Sequence, residues 1–320
     1  MLFPQLDGES VCQALASAGI AVSAPKVSVE NRGDRWLVRL PPNQMAWFAR
    51  SSRGLKSLRS ERAVLRLLAS RCTFRAPRVL LEAADGGFDV REMVPGECEP
   101  ARIWNEVCSS PTLALRVGTD VGKILAEQHS RVQENDLSGL VPDRPPWPPA
   151  IDDVLDGLSR VRDSWASGSA PTIMAEYERV SGSAKSRALV HTDVGFHNLA
   201  VDPETRSING LFDYGDAAWA DPHHDFRYLV LDIDQWELLD GATASYRAET
   251  GVPVFRERVL LYNAACALGY LAYGDRKAPE DRSCGRTLSE DIEWSRLAVR
   301  RVLGPHAAAE LERFLRLSGG

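Results

Sequence analysis

The sequence predicts an α+β protein with two lobes: a small N-terminal lobe with a five-stranded antiparallel sheet and one helix, and a larger, mainly helical C-terminal lobe. Three observations support this. Short strand-like segments separated by turn signals fill the first hundred residues, and helical periodicity dominates after Pro95-Gly96. The length of 320 residues is enough for two hydrophobic cores. We place the boundary at this Pro-Gly pair, with lobes at residues 1–96 and 97–320.

The first lobe can be predicted element by element. A short amphipathic helix near residues 9–18 precedes the sheet, and a longer helix, Leu55 to Ala69, has an apolar face containing Leu58 and Leu65. Turn signals, including Asn31 to Asp34 and Gly86-Gly87, separate the strand-like segments. The predicted strands are residues 26–30, 35–40, 44–50, 78–82 and 88–94.

The second lobe reads as a series of helices. Helical periodicity covers residues 113–130, 151–165 and 173–180, and several further helices follow residue 223. The proline-rich stretch between residues 141 and 149 predicts a stiff, extended connection. We therefore expect a β-rich lobe followed by an α-rich one.

Composition and charge restrict the class of protein. The content of 44% hydrophobic and 26% charged residues is that of an ordinary globular protein, and the apolar runs are too short to span a bilayer. The six cysteines are scattered, which favours a reducing cytoplasm. Residues 1–100 carry 14 basic against 11 acidic residues, and the remainder 24 against 33. A basic first part suits a polyphosphate and an acidic second part a cationic partner, although solvated surface charge is an equal alternative. A basic stripe for nucleic acid is not seen.

Two acidic motifs each follow an apolar, strand-like segment. Residues 191–198 read HTDVGFHN after Ala188 to Val190, and residues 213–215 read DYG after Gly210 to Phe212. Phosphoryl transfer requires a carboxylate that orients a hydroxyl group and oxygen ligands that hold Mg²⁺ on the phosphates. Kinase loops supply these as an Asp, an Asn five residues later, and a second Asp that begins D-F-G.

Asp193, Asn198 and Asp213 reproduce that order and spacing. Asp193 is the predicted catalytic base, and Asn198 and Asp213 are the predicted Mg²⁺ ligands. Asp and Asn also favour ordinary turns, which is the alternative for each motif alone. His191 is expected to be a structural strut, and Asp225 to cap a helix or brace the catalytic loop.

The nucleotide, ATP or GTP, is expected to bind the first lobe. Arg50 at the end of the third strand is the predicted phosphate-binding cation, paired with Glu61 on the following helix, and Arg39 is its rival. The base would bond to backbone around Glu92, Met93 and Val94, for which core packing is the alternative interpretation.

These motifs resemble those of the aminoglycoside phosphotransferase (APH) family of small-molecule kinases. The resemblance covers Val190 to Asp202, Gly210 to Ala217, and Asp221 to Asp225. It implies a bilobal, protein-kinase-like fold and Mg²⁺-dependent transfer of a γ-phosphoryl group from ATP or GTP to an alcohol. Two residues depart from the family pattern: Thr192 stands where glycine is usual, and His197 where a small residue is usual.

The acceptor is expected to be a small molecule. Only 11 residues separate Asp213 from Asp225 and no A-P-E motif follows, which leaves no room for a peptide-binding platform. An antibiotic that is phosphorylated and inactivated (an aminoglycoside, a basic peptide or a nucleoside) is the first hypothesis. The candidate acceptor-binding residues are Asp216, Trp219, Trp147 and His197.

Three alternatives stay open from the sequence. The acceptor of the kinase could be a metabolite such as choline, homoserine or a sugar. The chain could be a pseudokinase without turnover. It could also be a metal-dependent hydrolase with ligands drawn from His191, Asp193, His197, His223 and His224. The expected state is a monomer or homodimer in the cytoplasm.

Overall fold

The structure is a computed structural model that describes residues 2–21, 27–98, 100–161, 163–184, 186–231, 236–274 and 287–318. The chain forms two compact units. Unit 1 comprises Met1–Glu106, Glu127–Pro142 and Phe196–Ala217, and unit 2 comprises Val107–Ala126, Asp143–Gly195 and Ala218–Gly320. The predicted boundary at residue 96 divides the chain into two continuous segments. The two units instead each combine segments that are distant in the sequence.

Unit 1 contains the predicted five-stranded antiparallel sheet, which confirms this part of the fold. The spatial order of its strands is β1-β2-β3-β5-β4. The strands are β1 Ser28–Arg32, β2 Arg35–Leu40, β3 Gln44–Ala49, β4 Arg78–Glu82 and β5 Phe88–Glu92. The helices are α1 Gly8–Ser17, capped by Asp7, and α2 Ser52–Arg71, capped by Ser51.

The two faces of this sheet differ in chemistry because side chains alternate along each strand. One face carries Val38, Phe48 and Val90, which form an apolar core with Val11 and Leu15 of α1. The other face carries charged and aromatic side chains, and α2 packs against strands of this sheet. The sheet therefore separates an apolar face from a polar one.

A second strand pair belongs to unit 1 although it lies far along the chain. β7 Leu199–Val201 and β8 Ile208–Leu211 form an antiparallel pair. The Leu211 amide donates to the carbonyl of Arg75 at 3.1 Å, just after α2. Glu97 and Val201 exchange two backbone hydrogen bonds of 2.7 and 3.0 Å. Gly210 allows this approach, because a Cβ there would lie 2.0 Å from the Arg75 oxygen.

Unit 2 is mainly helical and contains a large apolar core. This core includes Leu158, Ile173, Tyr262 and Leu268. Beside it, β6 Ala188–Val190 pairs with β9 Ala218–Ala220. In the described part of the chain, no helix has a stretch long and apolar enough to cross a membrane. The remaining helices are α3 Pro100–Cys108, α4 Pro111–Arg131, α5 Ile151–Val161, α6 Ser164–Gly182, α7 His223–Phe226, α8 Tyr228–Leu231, α9 Trp236–Thr250, α10 Arg256–Gly274 and α11 Leu288–Ser318.

Candidate active site

The loop that carries Asp193 is held by its backbone. It leaves β6, and the fully buried Asp225 carboxylate accepts hydrogen bonds from the amides of His191 at 2.9 Å and Thr192 at 2.7 Å. The Asp193 amide donates to Nδ1 of His191 at 3.2 Å. Asp225 therefore braces the loop, which is one of its two predicted roles. The His191 ring adds a hydrogen bond within the loop.

Thr192 occupies a backbone conformation that explains the usual glycine at this place. Its φ angle is +74°, in the left-handed region that glycine adopts without penalty. A β-branched residue there is strained by on the order of 1–3 kcal/mol, so the surroundings must enforce the conformation. Asp225 binds the Thr192 amide, and the buried Arg227 guanidinium donates to its carbonyl.

Asp193 itself is half-buried and lies within unit 2. The neighbouring phenol of Tyr228 donates a hydrogen bond to it; burial and the Asp193 carboxylate raise the pKa of Tyr228 well above its usual value. The Arg227 guanidinium stacks over the Tyr228 ring at 4.8 Å. The carboxylate is thus oriented by a neutral donor, with a buried cation nearby.

Asn198 and Asp213 lie at the same end of the β7–β8 pair in unit 1. Asn198 directly precedes β7, and the amide of Phe212, directly after β8, donates to the Asn198 carbonyl at 3.0 Å. Asn198 is buried, whereas Asp213 is exposed and has a φ angle of +69°. The pairing brings these two predicted metal ligands together.

The donor set fits Mg²⁺. An amide oxygen and a carboxylate are hard oxygen ligands, and Mg²⁺ in phosphoryl-transfer sites is held by one or two such side chains plus phosphate oxygens. Asn198 and Asp213 offer that set at one end of a strand pair. Within the described residues, no group of three or more His, Cys, Asp or Glu side chains is placed to hold a metal ion by itself. Phosphate oxygens of a bound nucleotide would supply the remaining ligands.

Glu61 is the centre of a buried charge cluster in unit 1. It is 2% exposed and binds Arg35 and Arg91, both at 2.7 Å. Arg91 also binds the buried Asp89 at 2.6 Å. Burial would raise the pKa of Glu61, but Arg91 and Arg35 hold it below its usual value, so it stays ionised.

The predicted pairing of Arg50 with Glu61 is wrong. Arg50 is exposed, contacts Asn31 and the Gly33 carbonyl, and lies over the Trp36 ring at 5.2 Å. The reason is strand alternation: Arg50 follows Phe48 by two residues and therefore points to the face covered by α1, away from Glu61. Its predicted role in phosphate binding stays a prediction, as does that of its rival Arg39, which binds Glu30 at 3.1 Å.

The predicted base-binding segment ends the sheet. Glu92 is exposed and binds Arg78, and the Met93 amide donates to the Asn43 carbonyl at 3.0 Å. The Val94 side chain is buried, yet in the described chain its amide and carbonyl have no hydrogen-bond partner. The role of Glu92, Met93 and Val94 in binding the base stays a prediction.

The predicted acceptor-binding residues fall into both units. His197 and Asp216 are exposed in unit 1. In unit 2, Trp219 is buried in β9 and lines a cavity of about 520 Å³ with Arg187, whereas Trp147 packs against Tyr270 and Tyr273 of α10. Their role in binding an acceptor stays a prediction.

The histidines of the hydrolase hypothesis have structural partners. The His223 ring binds the Asp221 carboxylate at 2.5 Å through Nδ1 and accepts the Phe255 amide at 3.0 Å through Nε2. His224 contacts the Tyr177 hydroxyl at 3.4 Å and Arg227 at 3.3 Å. Both rings are buried, so these side chains serve packing and hydrogen bonding.

Comparison with known proteins decides the family. The model of the phosphotransferase enzyme family (APH) matches residues 11–257. The chain belongs to this family. Membership confirms the family that the motifs predicted.

Similarity to one curated member of the family covers only part of the chain. The curated aminoglycoside 3'-phosphotransferase of Streptomyces fradiae is 30% identical over 86 residues, which cover 26% of this chain and 31% of that protein. The matched stretch therefore spans about a third of the relative's length.

Solved structures confirm the predicted kinase-like fold class. A GDP complex of a mutant aminoglycoside 2'-phosphotransferase-IIIa has a TM-score of 0.71 and 18% identity, covering 92% of this chain and 98% of that one. The macrolide 2'-phosphotransferase MphH from Brachybacterium faecium, an apoenzyme, has a TM-score of 0.59 and 17% identity, covering 93% and 99%. At these identities the likeness is one of fold.

The sequence did not single out several residues of this region. Arg35 and Trp47 lie on the polar face of the sheet, and their alternation with Trp36 and Phe48 was the available signal. Tyr228 gave no signal, because its contact with Asp193 depends on the packing of α8.

Proposed function

We propose that this protein transfers the γ-phosphoryl group of ATP or GTP to a hydroxyl group of a small molecule, with Mg²⁺. The observation that carries the proposal is the backbone pairing of Asn198 with Phe212, the residue before Asp213. Asn198 and Asp213 also follow Asp193 in the order that kinases use. The braced loop of Asp193 and membership of the phosphotransferase family support it.

In the proposed reaction, Asp193 orients the acceptor hydroxyl and accepts its proton. The hydroxyl oxygen forms a bond to the γ-phosphorus as the bond from that phosphorus to the bridging oxygen breaks, and the nucleoside diphosphate leaves with the electron pair. Asn198 and Asp213 would hold Mg²⁺, which neutralises charge on the phosphate oxygens when bound. The Tyr228 hydrogen bond orients the Asp193 carboxylate.

The acceptor in this proposal is an antibiotic, and the consequence is resistance. Solved structures of the same fold include kanamycin, streptomycin-ATP and gentamicin complexes of aminoglycoside phosphotransferases as well as a macrolide phosphotransferase. The acidic surplus of residues 101–320, with 33 acidic against 24 basic residues, suits an aminated acceptor.

The test is nucleoside diphosphate release from ATP and from GTP against a panel of acceptors. The panel contains aminoglycosides, macrolides, basic peptides, nucleosides, choline and homoserine. We expect release that needs both Mg²⁺ and one antibiotic class. Asp193→Asn should lower turnover by about 10²–10⁴-fold, whereas Asp156→Asn, an exposed carboxylate on α5, should leave it unchanged. Full turnover in Asp193→Asn would refute the assignment, and turnover with choline or homoserine alone would move the acceptor to metabolism.

A further inference from the structure

The polar face of the sheet in unit 1 contains a cation whose place differs from the predicted one. β2 and β3 pair so that Arg35 lies opposite Ala49, and Trp47 lies opposite Asp89 of β5. These side chains share the face that meets Glu61 of α2. The side chain of β3 nearest the centre of this face is therefore an indole, which carries no charge.

Arg35 is fixed in direction by two contacts. Its Nη1 donates to Glu61 at 2.7 Å, and its guanidinium lies over the Trp47 ring at 4.6 Å. The side chain remains 16% exposed, whereas Arg91 and Arg62, the other arginines of this charge cluster, are 1% and 3% exposed. Arg91 and Arg62 are also shared with Asp89, so they balance buried carboxylates.

The Nη2 group of Arg35 lies near the motif that begins with Asp213. A Cβ placed on Gly215 would lie 3.1 Å from Nη2 of Arg35 and 3.5 Å from Oδ1 of Asp213. Glycine leaves that space open between a guanidinium and a carboxylate. A guanidinium has five N–H donors, and Glu61 is the hydrogen-bond partner that the described residues give Arg35. Its free donors and its fork geometry match a phosphate group.

We propose that Arg35, not Arg50, is the cation that binds the phosphates of the nucleotide, with Glu61 and Trp47 as its positioning residues. This inference rests on the proposed function. Arg35, the first residue of β2, lies over the Trp47 ring and reaches toward the Asp213 motif. In this inference its guanidinium supplies the positive charge that binds the phosphates. Arg50 lies on the opposite face, over Trp36, and contributes to the surface of the β1–β2 turn.

The test compares a nucleoside with its diphosphate by isothermal titration calorimetry of the full chain with Mg²⁺, using adenosine with ADP and guanosine with GDP. Arg35→Met keeps the aliphatic stem but removes the donors. We expect it to weaken diphosphate binding by about 10- to 100-fold, the size of one or two charged hydrogen bonds, with nucleoside binding unchanged. Arg50→Met, the matched control, should change neither.

Two further variants separate a binding role from a folding defect. Arg35→Lys keeps the charge and should recover part of the diphosphate affinity, and thermal unfolding of all variants shows whether the fold is kept. Equal diphosphate affinity in wild type, Arg35→Met and Arg35→Lys would overturn the inference while leaving the proposed function intact. A loss in Arg50→Met alone would overturn it in favour of Arg50. A wild-type protein that binds neither diphosphate would overturn the proposed function as well.

Discussion

The backbone amide of Phe212 donates a hydrogen bond to the carbonyl oxygen of Asn198 at 3.0 Å. Phe212 directly precedes Asp213, so this bond places the two oxygen-bearing side chains at adjacent positions of one strand pair. Asn198 and Asp213, 15 positions apart along the chain, thus lie at one end of the β7–β8 pair, which begins with the pairing of Leu199 and Leu211.

A change at Asp213 should remove the metal dependence of nucleotide binding. In Asp213→Ala we expect the affinity for nucleoside diphosphate with Mg²⁺ to fall by at least about tenfold, to the value measured with a chelator, because the carboxylate that holds the ion is lost. Titration calorimetry with and without Mg²⁺ checks this. Glu204→Gln, an exposed change on the same hairpin, is the control. Retained metal dependence in Asp213→Ala would contradict the assignment.

Asp225 should be essential for the stability of the loop that it braces. Asp225→Ala leaves the buried amides of His191 and Thr192 without their acceptor, at about 1–3 kcal/mol each. We therefore expect a decrease of about 2–6 kcal/mol in the free energy of unfolding, measured by denaturant titration. Hydrogen exchange at these two amides should accelerate. Asp225→Asn keeps one acceptor oxygen and should cost less than the alanine variant; equal losses in both would speak against the bracing role.

Much of the fold and part of the site could be predicted from the sequence. Period-two alternation and turn signals located all five strands of the sheet, and the spacing of Asp193, Asn198 and Asp213 identified the three candidate groups. The association of the β7–β8 pair with unit 1 could not be predicted. It depends on a backbone hydrogen bond from Leu211 to Arg75. These residues are more than a hundred positions apart, and the bond involves no side-chain type that a pattern can detect.

The choice between Arg50 and Arg35 as the candidate phosphate-binding cation depends on strand register. Arg50 directly follows β3 and Arg35 begins β2, and both are near a helix that carries a glutamate. Only the register, in which Arg35 faces Ala49, places Arg35 on the side of Glu61. Arg50 and Phe48 are two residues apart, so the sequence already predicts that their side chains point to the same face. The structure shows that this is the apolar face covered by α1.

Glu61 should contribute more to stability than a surface carboxylate with the same number of partners. Glu61→Gln removes the carboxylate that binds both Arg35 and the buried Arg91. Breaking a buried pair costs about 3–5 kcal/mol. Glu30 also binds two arginines, Arg32 at 2.8 Å and Arg39 at 3.1 Å, but at the surface. Glu30→Gln should cost less than about 1 kcal/mol. Denaturant titration of both variants makes the comparison, and equal costs would contradict it.

Stability should depend on pH through His224. Arg227 has only donors, so it donates to Nδ1 of this buried ring, and burial followed by the Arg227 charge lowers the pKa of His224 to about 3. An unfolded histidine titrates near about 6.5, so protonation favours the unfolded state. The free energy of unfolding should be constant above about pH 7 and fall by about 1.4 kcal/mol per pH unit below about 6.5, until the pH nears the folded value.

Denaturant titrations at pH 7 and pH 5 check this, with an expected difference of about 2 kcal/mol in the wild type. His224→Gln removes the titrating group and keeps an acceptor for Arg227, so its stability should differ less between the two pH values. The same pH difference in both proteins would assign the effect to other groups.

The close contact of Gly96 with Val201 has a consequence for dissecting the chain. A Cβ on Gly96 would lie 2.8 Å from the Val201 oxygen, and the neighbouring Glu97 pairs with the same residue. A polypeptide ending at residue 96 would lose this partner and leave the edge around Arg75 uncovered. Two separately expressed halves cut at that point should therefore recover native spectra only when mixed, and supplying a peptide of residues 196–217 to the first half should partly restore its order.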